Sequence, residues 1–129
     1  MLFRSEIQLI LEDVLATCEA QYDLEYRVYS ADGVRAFLYE QFPSFSSVRI
    51  EKGIQVKAIA LGSGGELRGL DERKWLPGKN KTPTYIFIYP GKTASISLNE
   101  SGEPIGVIVA NQGIFETQKQ IFDALWKTL

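Results

Sequence analysis

The residues of this chain that could hold a charged ligand lie between two predicted strands. A glycine-rich turn, Gly62-Ser63-Gly64-Gly65, directly follows a strongly apolar run. Consecutive backbone N–H groups in such a turn can cradle an anion, although the Lys-Ser/Thr pair of a P-loop is missing. The basic residues that follow are Arg68, Arg73, Lys74, Lys79 and Lys81. Two interpretations stay open for this part of the chain: a site for a phosphate or an acidic partner, or a flexible turn followed by an ordinary solvated loop.

The chain has few of the residue types that nucleophilic or metal-based catalysis requires. The chain contains no histidine and a single cysteine, Cys18. Cys18 lies in the apolar stripe of a predicted helix, which is typical of a small buried side chain. Zinc sites built from histidines or from several thiolates are therefore excluded, and a cysteine nucleophile would lack a histidine base. We expect no metal and no cofactor.

The remaining candidates for acid–base chemistry are carboxylates in predicted loops. Asp71 and Glu72 form one pair, and Glu100 with Glu103 forms another. A paired-carboxylate hydrolase needs two such groups to converge in one cleft, whereas solvated loop charge needs no further arrangement and is the more common case. We therefore expect that the chain is not an enzyme.

Hydrophobic periodicity predicts which elements must position these residues. An N-terminal helix has its apolar stripe from Phe3 to Cys18, and a closing helix spans residues 112–129 with Phe115, Ile121, Phe122, Leu125 and Trp126 facing inward. Between them we predict strands at 23–29, 54–61, 74–76 and 105–110, helices at 34–42 and 45–52, and a β-hairpin over 84–98 that turns at Pro90-Gly91.

The order of these elements predicts one α/β domain over residues 1–129. The helices between the first two strands have the spacing of a βαβ crossover, so these strands should be parallel, and the later strands should form an antiparallel meander. The expected architecture is a mixed β-sheet covered by helices. Ligands of open α/β sheets bind beyond the carboxyl ends of the strands, which nominates Ser30 and Asp32 after the first strand, and Gly62, Ser63 and Gly64 after the second.

Three further residues complete the set of candidate ligand contacts. Arg68 is the first member of the basic cluster. Trp75 and Tyr85, together with Tyr89, lie where aromatic side chains could line a cleft or a partner surface. A place in the hydrophobic core is the alternative interpretation of these aromatic residues.

Composition restricts the partners that this chain is expected to have. The net charge is −2 and the calculated pI about 5.2, which argues against DNA binding by this segment alone. A lone cysteine favours a reducing compartment, and the sequence has neither a signal-peptide pattern nor an apolar run of ~18 residues. We therefore expect a cytoplasmic protein without membrane contact.

Several segments in a characteristic order resemble the effector domain of TrmB-type transcriptional regulators. The similar segments are RIEKGIQVKAI (49–59), ELR (66–68), WLP (75–77), YIFIYPGKTASISL (85–98), IGVIVAN (105–111) and ETQKQIFDALW (116–126). Together they cover about residues 20 to 127.

The resemblance implies a phospholipase D-like half-domain that follows a winged-helix DNA-binding domain. It also implies dimerisation and the sensing of a small molecule. Phospholipase D chemistry needs a His-x-Lys pair, and the chain has no histidine, so the resemblance implies the fold without the reaction. The chain begins at the helix before the first strand, so DNA contact is expected only through a domain outside it. The sugar-sensing members carry a further C-terminal domain, whereas this chain ends at Leu129, which argues against a sugar ligand.

Two functions follow as hypotheses. The first is a non-catalytic effector domain of a TrmB-like regulator, which forms a homodimer and senses a small ligand. The second is a stand-alone module that binds a small molecule or phosphate without a role in transcription. Both hypotheses need a ligand site that the sequence alone does not define.

Overall fold

The structure is a computed structural model that describes residues 4–62, 67–77 and 84–129. Phe3, Ser63, Gly64, Gly65, Lys79 and Lys81, all named in the sequence analysis, lie outside the described residues. The elements follow in the order α1 (Arg4–Ala20), β1 (Glu25–Ser30), α2 (Asp32–Gln41), α3 (Phe45–Glu51), β2 (Gln55–Ala60), β3 (Asp71–Trp75), β4 (Tyr85–Tyr89), β5 (Lys92–Leu98), β6 (Pro104–Ala110) and α4 (Gln112–Trp126).

The six described strands form one mixed sheet in the order β3-β2-β1-β4-β5-β6. β1, β2 and β3 are parallel, whereas β4, β5 and β6 form an antiparallel meander that joins the parallel half through β4 and β1. The hairpin turns at Pro90-Gly91, where Gly91 adopts φ 73°, a conformation that costs glycine little. The predicted mixed α/β sheet is therefore confirmed.

One face of the sheet packs against α1, α2 and α3. Side chains alternate between the two faces of a strand, and the residues at every second position, such as Tyr26 and Val28 in β1 and Val56 and Ala58 in β2, enter this larger core. The stripe of α1 from Ile7 to Cys18 packs onto it as the periodicity predicted. This face also carries the candidate site.

α4 covers the other face. Phe115 and Phe122 pack with Ile59 and Ile88, and an ion pair of 2.6 Å between Arg27 and Asp123 ties the helix to β1. The side chain of Ile121, predicted to face inward, is 53% exposed, so that prediction was wrong. Successive residues of a helix are about 100° apart, and α4 turns Phe122, not its neighbour, towards the sheet.

Several element boundaries differ from the sequence prediction by one to three residues, and the differences at β3 and α2 have local reasons. β3 spans Asp71–Trp75 rather than 74–76, because an edge strand with polar side chains on both sides leaves no hydrophobic alternation to read. α2 begins at Asp32, two residues before the predicted start, and its N-cap Ala31 supplies no side-chain hydrogen bond. Of the described helices, none is long and apolar enough to cross a membrane.

Candidate functional site

A polar network forms where β1 ends at Ser30. The Nη2 atom of Arg35 donates a hydrogen bond of 2.7 Å to the Ser30 hydroxyl, which is also hydrogen-bonded to Tyr85. Val28 lies opposite Phe87 in the antiparallel β1–β4 pair, and this register brings Ser30 and Tyr85 together two residues further on. Nη1 of Arg35 lies 3.0 Å from Oδ1 of Asp32. The first turn of α2 thus places one acidic and one basic side chain at the end of β1.

A cavity of about 360 Å³ lies beside this network, on the face that α2 and α3 cover. Its floor comes from small apolar residues of the central strands, Val28, Val56 and Ala58. Its walls include residues of α2, α3, β3 and β4. The volume is at the lower end of the range of small-molecule sites, ~300–1,000 Å³. We call this space the arginine cavity because of the residues described next.

The charge of the lining is strongly positive. Among the described residues that line the cavity, four are arginines (Arg35, Arg49, Arg68 and Arg73) and one is acidic (Asp71), which leaves a net charge of 4 − 1 = +3. The whole chain has a net charge of −2. Positive charge is therefore concentrated at this site although the net charge of the whole chain is negative, as expected where a protein attracts an anion.

Arg73 is the least compensated of these arginines. Its Nε and Nη1 atoms are buried and have no hydrogen-bond partner among the described residues. Burial, first of all, lowers the pKa of Arg73, and the positive charge of Arg35 adds to this effect, whereas Tyr85, Asp71 and Tyr39 partly oppose it. Buried guanidinium nitrogens without an acceptor are costly, so an anion that accepted hydrogen bonds from them would offset this cost.

Arg49, by contrast, already uses its donors within the fold. It is 2% exposed, and its guanidinium donates to the carbonyl oxygens of Ile54 at 2.9 Å, Gly69 at 2.8 Å and Leu70 at 3.2 Å. These bonds fasten the segment before β3 to the end of α3. Arg49 therefore shapes the wall of the cavity and has little capacity left for a ligand.

The segment that Arg49 fastens carries Arg68 to the mouth of the cavity. The carboxylate of Asp71 accepts hydrogen bonds from the backbone N–H of Arg68 at 3.1 Å and of Gly69 at 2.8 Å. The backbone of Gly69 has φ 124°, which an L side chain rarely adopts. The guanidinium of Arg68 lies over the ring of Tyr39, with 4.3 Å from Cζ to the ring centroid.

Aromatic side chains form much of the remaining wall. Tyr26, Tyr39, Phe45 and Tyr85 all line the cavity, and the hydroxyl of Tyr39 is 2.7 Å from Oγ of Ser46. Burial raises the pKa of Tyr26 and of Tyr85, while the hydrogen bond with Ser30 partly opposes the shift at Tyr85. Both phenols stay neutral at physiological pH, so they offer O–H donors rather than negative charge.

The structure brings some of the predicted site residues together and not others. Ser30, Arg68 and Tyr85 meet at or beside the arginine cavity, and Asp32 joins them through Arg35. Gly62, with φ 146°, packs against Asp32, since a Cβ there would lie 3.2 Å from Oδ2 of Asp32. Ser63 and Gly64 lie outside the described residues. Trp75 is 48% exposed and is not part of the lining.

Arg35 was missed as a site candidate, and Arg73 was named only as one member of the basic cluster. Arg35 was hidden in an amphipathic helix, where a charged residue is ordinary. Arg73 was grouped with the whole basic cluster. Arg73 and Lys74 are consecutive residues, however, and consecutive side chains of a strand point to opposite faces of the sheet, which could have separated the two. The third aromatic candidate, Tyr89, is fully buried, and its hydroxyl donates to Asp13 at 2.7 Å.

No cluster of three or more potential metal ligands occurs among the residues that the structure describes. Comparison with family models, with curated proteins and with solved structures found no match to this chain. The geometry of the cavity is therefore the main basis for a function.

Proposed function

We propose that this chain is a non-catalytic regulatory domain that binds a small anionic molecule in the arginine cavity. The observation that supports it best is that Arg73, on the wall of a cavity of ligand size, has two buried nitrogens without a hydrogen-bond partner among the described residues. Arg68 and the Arg35–Ser30–Tyr85 network lie around the same space. This is the ligand-binding part of both hypotheses drawn from the sequence.

The electrostatics favour an anion over a neutral ligand. Guanidinium groups bind carboxylate and phosphate through charge-assisted hydrogen bonds, which are about twice as strong as neutral ones. Asp32 compensates Arg35 in part, and Asp71 spends its oxygens on backbone N–H groups. An arriving anion would therefore be able to accept hydrogen bonds from Nε and Nη1 of Arg73, which have no partner among the described residues.

The proposed fold and the proposed lack of catalysis rest on the same feature of the sequence. We propose that the sheet and its helices form a phospholipase D-like half-domain, as the resemblance to TrmB-type effector domains implies. The chain contains no histidine, so the phospholipase D nucleophile is not among its residues. A binding role uses the cavity without requiring a reaction.

Thermal shift measurements test the anion-binding proposal. We expect inorganic phosphate and citrate to raise the melting temperature at constant ionic strength, whereas neutral glycerol at the same concentration should not, because a ligand stabilises only the state that it binds. R73Q should abolish the shift. K74Q is the matched control, since it removes one positive charge from the same strand on the opposite face, where Lys74 contacts Trp126. Equal responses of wild type and R73Q would contradict the proposal.

A second candidate function, self-association in a TrmB-like regulator, is favoured by strand β6. It is an edge strand of the described sheet, and two of its apolar side chains, Val107 and Ile108, are exposed. An edge strand offers unpaired N–H and C=O groups, which a second copy of the same strand can satisfy. We propose that a homodimer forms through β6, in the cytoplasm, and that DNA contact belongs to a domain outside this chain.

Light scattering at increasing protein concentration tests this second candidate. We expect a dimer for the wild type and a monomer for V107E, because a buried unpaired carboxylate at the interface is costly. L24E is a control with the same type of change at an exposed leucine next to β1, three strands away from β6. A monomeric wild type at all concentrations would end the self-association candidate and leave the anion-binding proposal intact.

A further inference from the structure

We infer that the ligand of the arginine cavity is an organic acid with a compact apolar body, held with its anionic group at Arg73 and its body over Ala58 and Val28. The inference rests on the proposed function and narrows its ligand class. It is supported by the order of the side chains on the strands beneath the cavity, where a cation lies at one end and apolar groups follow.

The register of three parallel strands places these side chains in one row. Arg73 of β3 is the partner of Ala58 in β2, and Ala58 is the partner of Val28 in β1. Neighbouring strands are about 4.8 Å apart, and paired residues share one face of the sheet. All three residues line the cavity. The row therefore begins with a guanidinium at the edge strand and continues with apolar groups towards the middle of the sheet.

The anionic group of the ligand belongs at the Arg73 end of this row. Nε and Nη1 of Arg73 are buried and have no hydrogen-bond partner among the described residues. Asp71 lies two residues earlier in β3, but its carboxylate accepts hydrogen bonds from the backbone N–H groups of Arg68 and Gly69. A carboxylate or a similar anion can accept charge-assisted hydrogen bonds from the Arg73 guanidinium.

The body of the ligand follows from the floor. Val28, Val56 and Ala58 have no polar side-chain atom, and Phe45 and Tyr26 border the same space with aromatic rings. Ala58, in the middle of the row, contributes only a methyl group, which leaves room above it. An apolar group that moves from water onto such a surface gains free energy in proportion to the area that it covers. An inorganic anion at Arg73 would leave this floor uncovered.

Calorimetric titration at pH 7.5 and constant ionic strength tests the inference with four probes. Cyclohexanecarboxylate has both the anionic group and the apolar body, acetate has the anionic group with almost no body, and cyclohexylmethanol has the body without the charge. Inorganic phosphate reports on the anion site alone. We expect cyclohexanecarboxylate to bind at least ten times more tightly than acetate and than cyclohexylmethanol. R73Q should weaken cyclohexanecarboxylate at least tenfold, and K74Q less than threefold.

A second variant tests where the body lies. A58V adds two methyl groups to the floor and leaves Arg73 unchanged. We expect A58V to weaken cyclohexanecarboxylate at least fivefold and inorganic phosphate less than twofold. An equal loss for both probes, or no loss for cyclohexanecarboxylate, would contradict the placement of the body over Ala58.

The outcomes separate this inference from the proposed function. Binding of none of the anions would overturn both. Acetate as tight as cyclohexanecarboxylate, with phosphate still bound, would overturn the apolar body and leave the anion site. Cyclohexylmethanol as tight as cyclohexanecarboxylate would overturn the anionic group. Should R73Q or A58V fail to fold, as judged by circular dichroism and melting temperature, the ratios among the probes on the wild type decide.

Discussion

Arg49 in α3 donates a hydrogen bond of 2.8 Å to the carbonyl oxygen of Gly69, twenty residues along the chain. Two further bonds, to the carbonyl oxygens of Ile54 and Leu70, complete the use of this buried guanidinium. The backbone just before β2 and the backbone just before β3 are thus hydrogen-bonded to the same side chain. This arginine of the cavity wall therefore serves the fold, because it holds the segment that carries Arg68 and leads into β3 with Arg73.

We expect R49M to lower the free energy of unfolding by about 2–4 kcal/mol. The methionine keeps much of the apolar stem but leaves carbonyl groups at the loop without donors, and each unsatisfied buried group costs about 1–3 kcal/mol. Urea denaturation followed by circular dichroism measures the change. K52M, which removes an exposed lysine one residue beyond the same helix, should change stability by less than about 0.5 kcal/mol. A loss for R49M no larger than that of K52M would show that Arg49 does not fasten the loop.

Local patterns were sufficient to predict much of this fold. β2 is a nearly continuous apolar run, and the β4–β5 hairpin combines alternating apolar residues with a Pro-Gly turn, so both could be read from neighbouring residues. β3 could not be read from neighbouring residues, because the segment Asp-Glu-Arg-Lys-Trp adopts its strand conformation through backbone pairing with β2. Tertiary context decides such segments.

The candidate site was less predictable for the same reason. Ser30 and Tyr85 were nominated separately, but their hydrogen bond depends on the register between β1 and β4. Arg35 and Arg73 are 38 positions apart in sequence and face one cavity only because β3 pairs with β2 beyond the crossover. A single sequence contains no signal for such long-range convergence, whereas the fold itself followed from periodicity.

The bond between Tyr89 and Asp13 gives a prediction on pH. Burial and the adjacent carboxylate of Asp13 raise the pKa of Tyr89 far above its ordinary value. In the unfolded chain the phenol ionises at a pH of about 10, whereas the folded protein keeps it protonated. The stabilisation is therefore complete below pH 10 and is lost as the pH rises further, because the unfolded state then releases its proton first.

Y89F removes both the hydrogen bond and this titration. We expect a loss of about 1–2 kcal/mol in the free energy of unfolding at pH 7, and a smaller decline than in the wild type between pH 9 and pH 11. Denaturation series at several pH values measure both effects. A wild type and a Y89F variant with the same slope above pH 10 would show that Tyr89 ionises equally easily in the folded and unfolded states.

Cys18 should be inert towards thiol reagents in the native protein. Its side chain is 0% exposed, and burial, with a smaller contribution from Asp23, raises the pKa of the thiol to about 12. The thiolate is the reactive form, so modification must wait for unfolding. We expect labelling by a chromogenic disulfide at pH 8 to be slow in buffer and complete within seconds in concentrated guanidinium chloride. Rapid labelling without denaturant would mean that α1 opens locally.

Two neighbouring residues of α4 provide the sharpest test of how this helix is oriented. Phe122 is fully buried against Ile59 and Ile88, so F122A should cost about 3–5 kcal/mol through lost burial and the cavity left behind. I121E changes a half-exposed residue of the same helix into a charged one, and we expect less than about 1 kcal/mol. Chemical denaturation of both variants measures the difference. If I121E were as damaging as F122A, the inward orientation of Ile121 expected from its hydrophobicity would be right, and the rotation of α4 described above would be wrong.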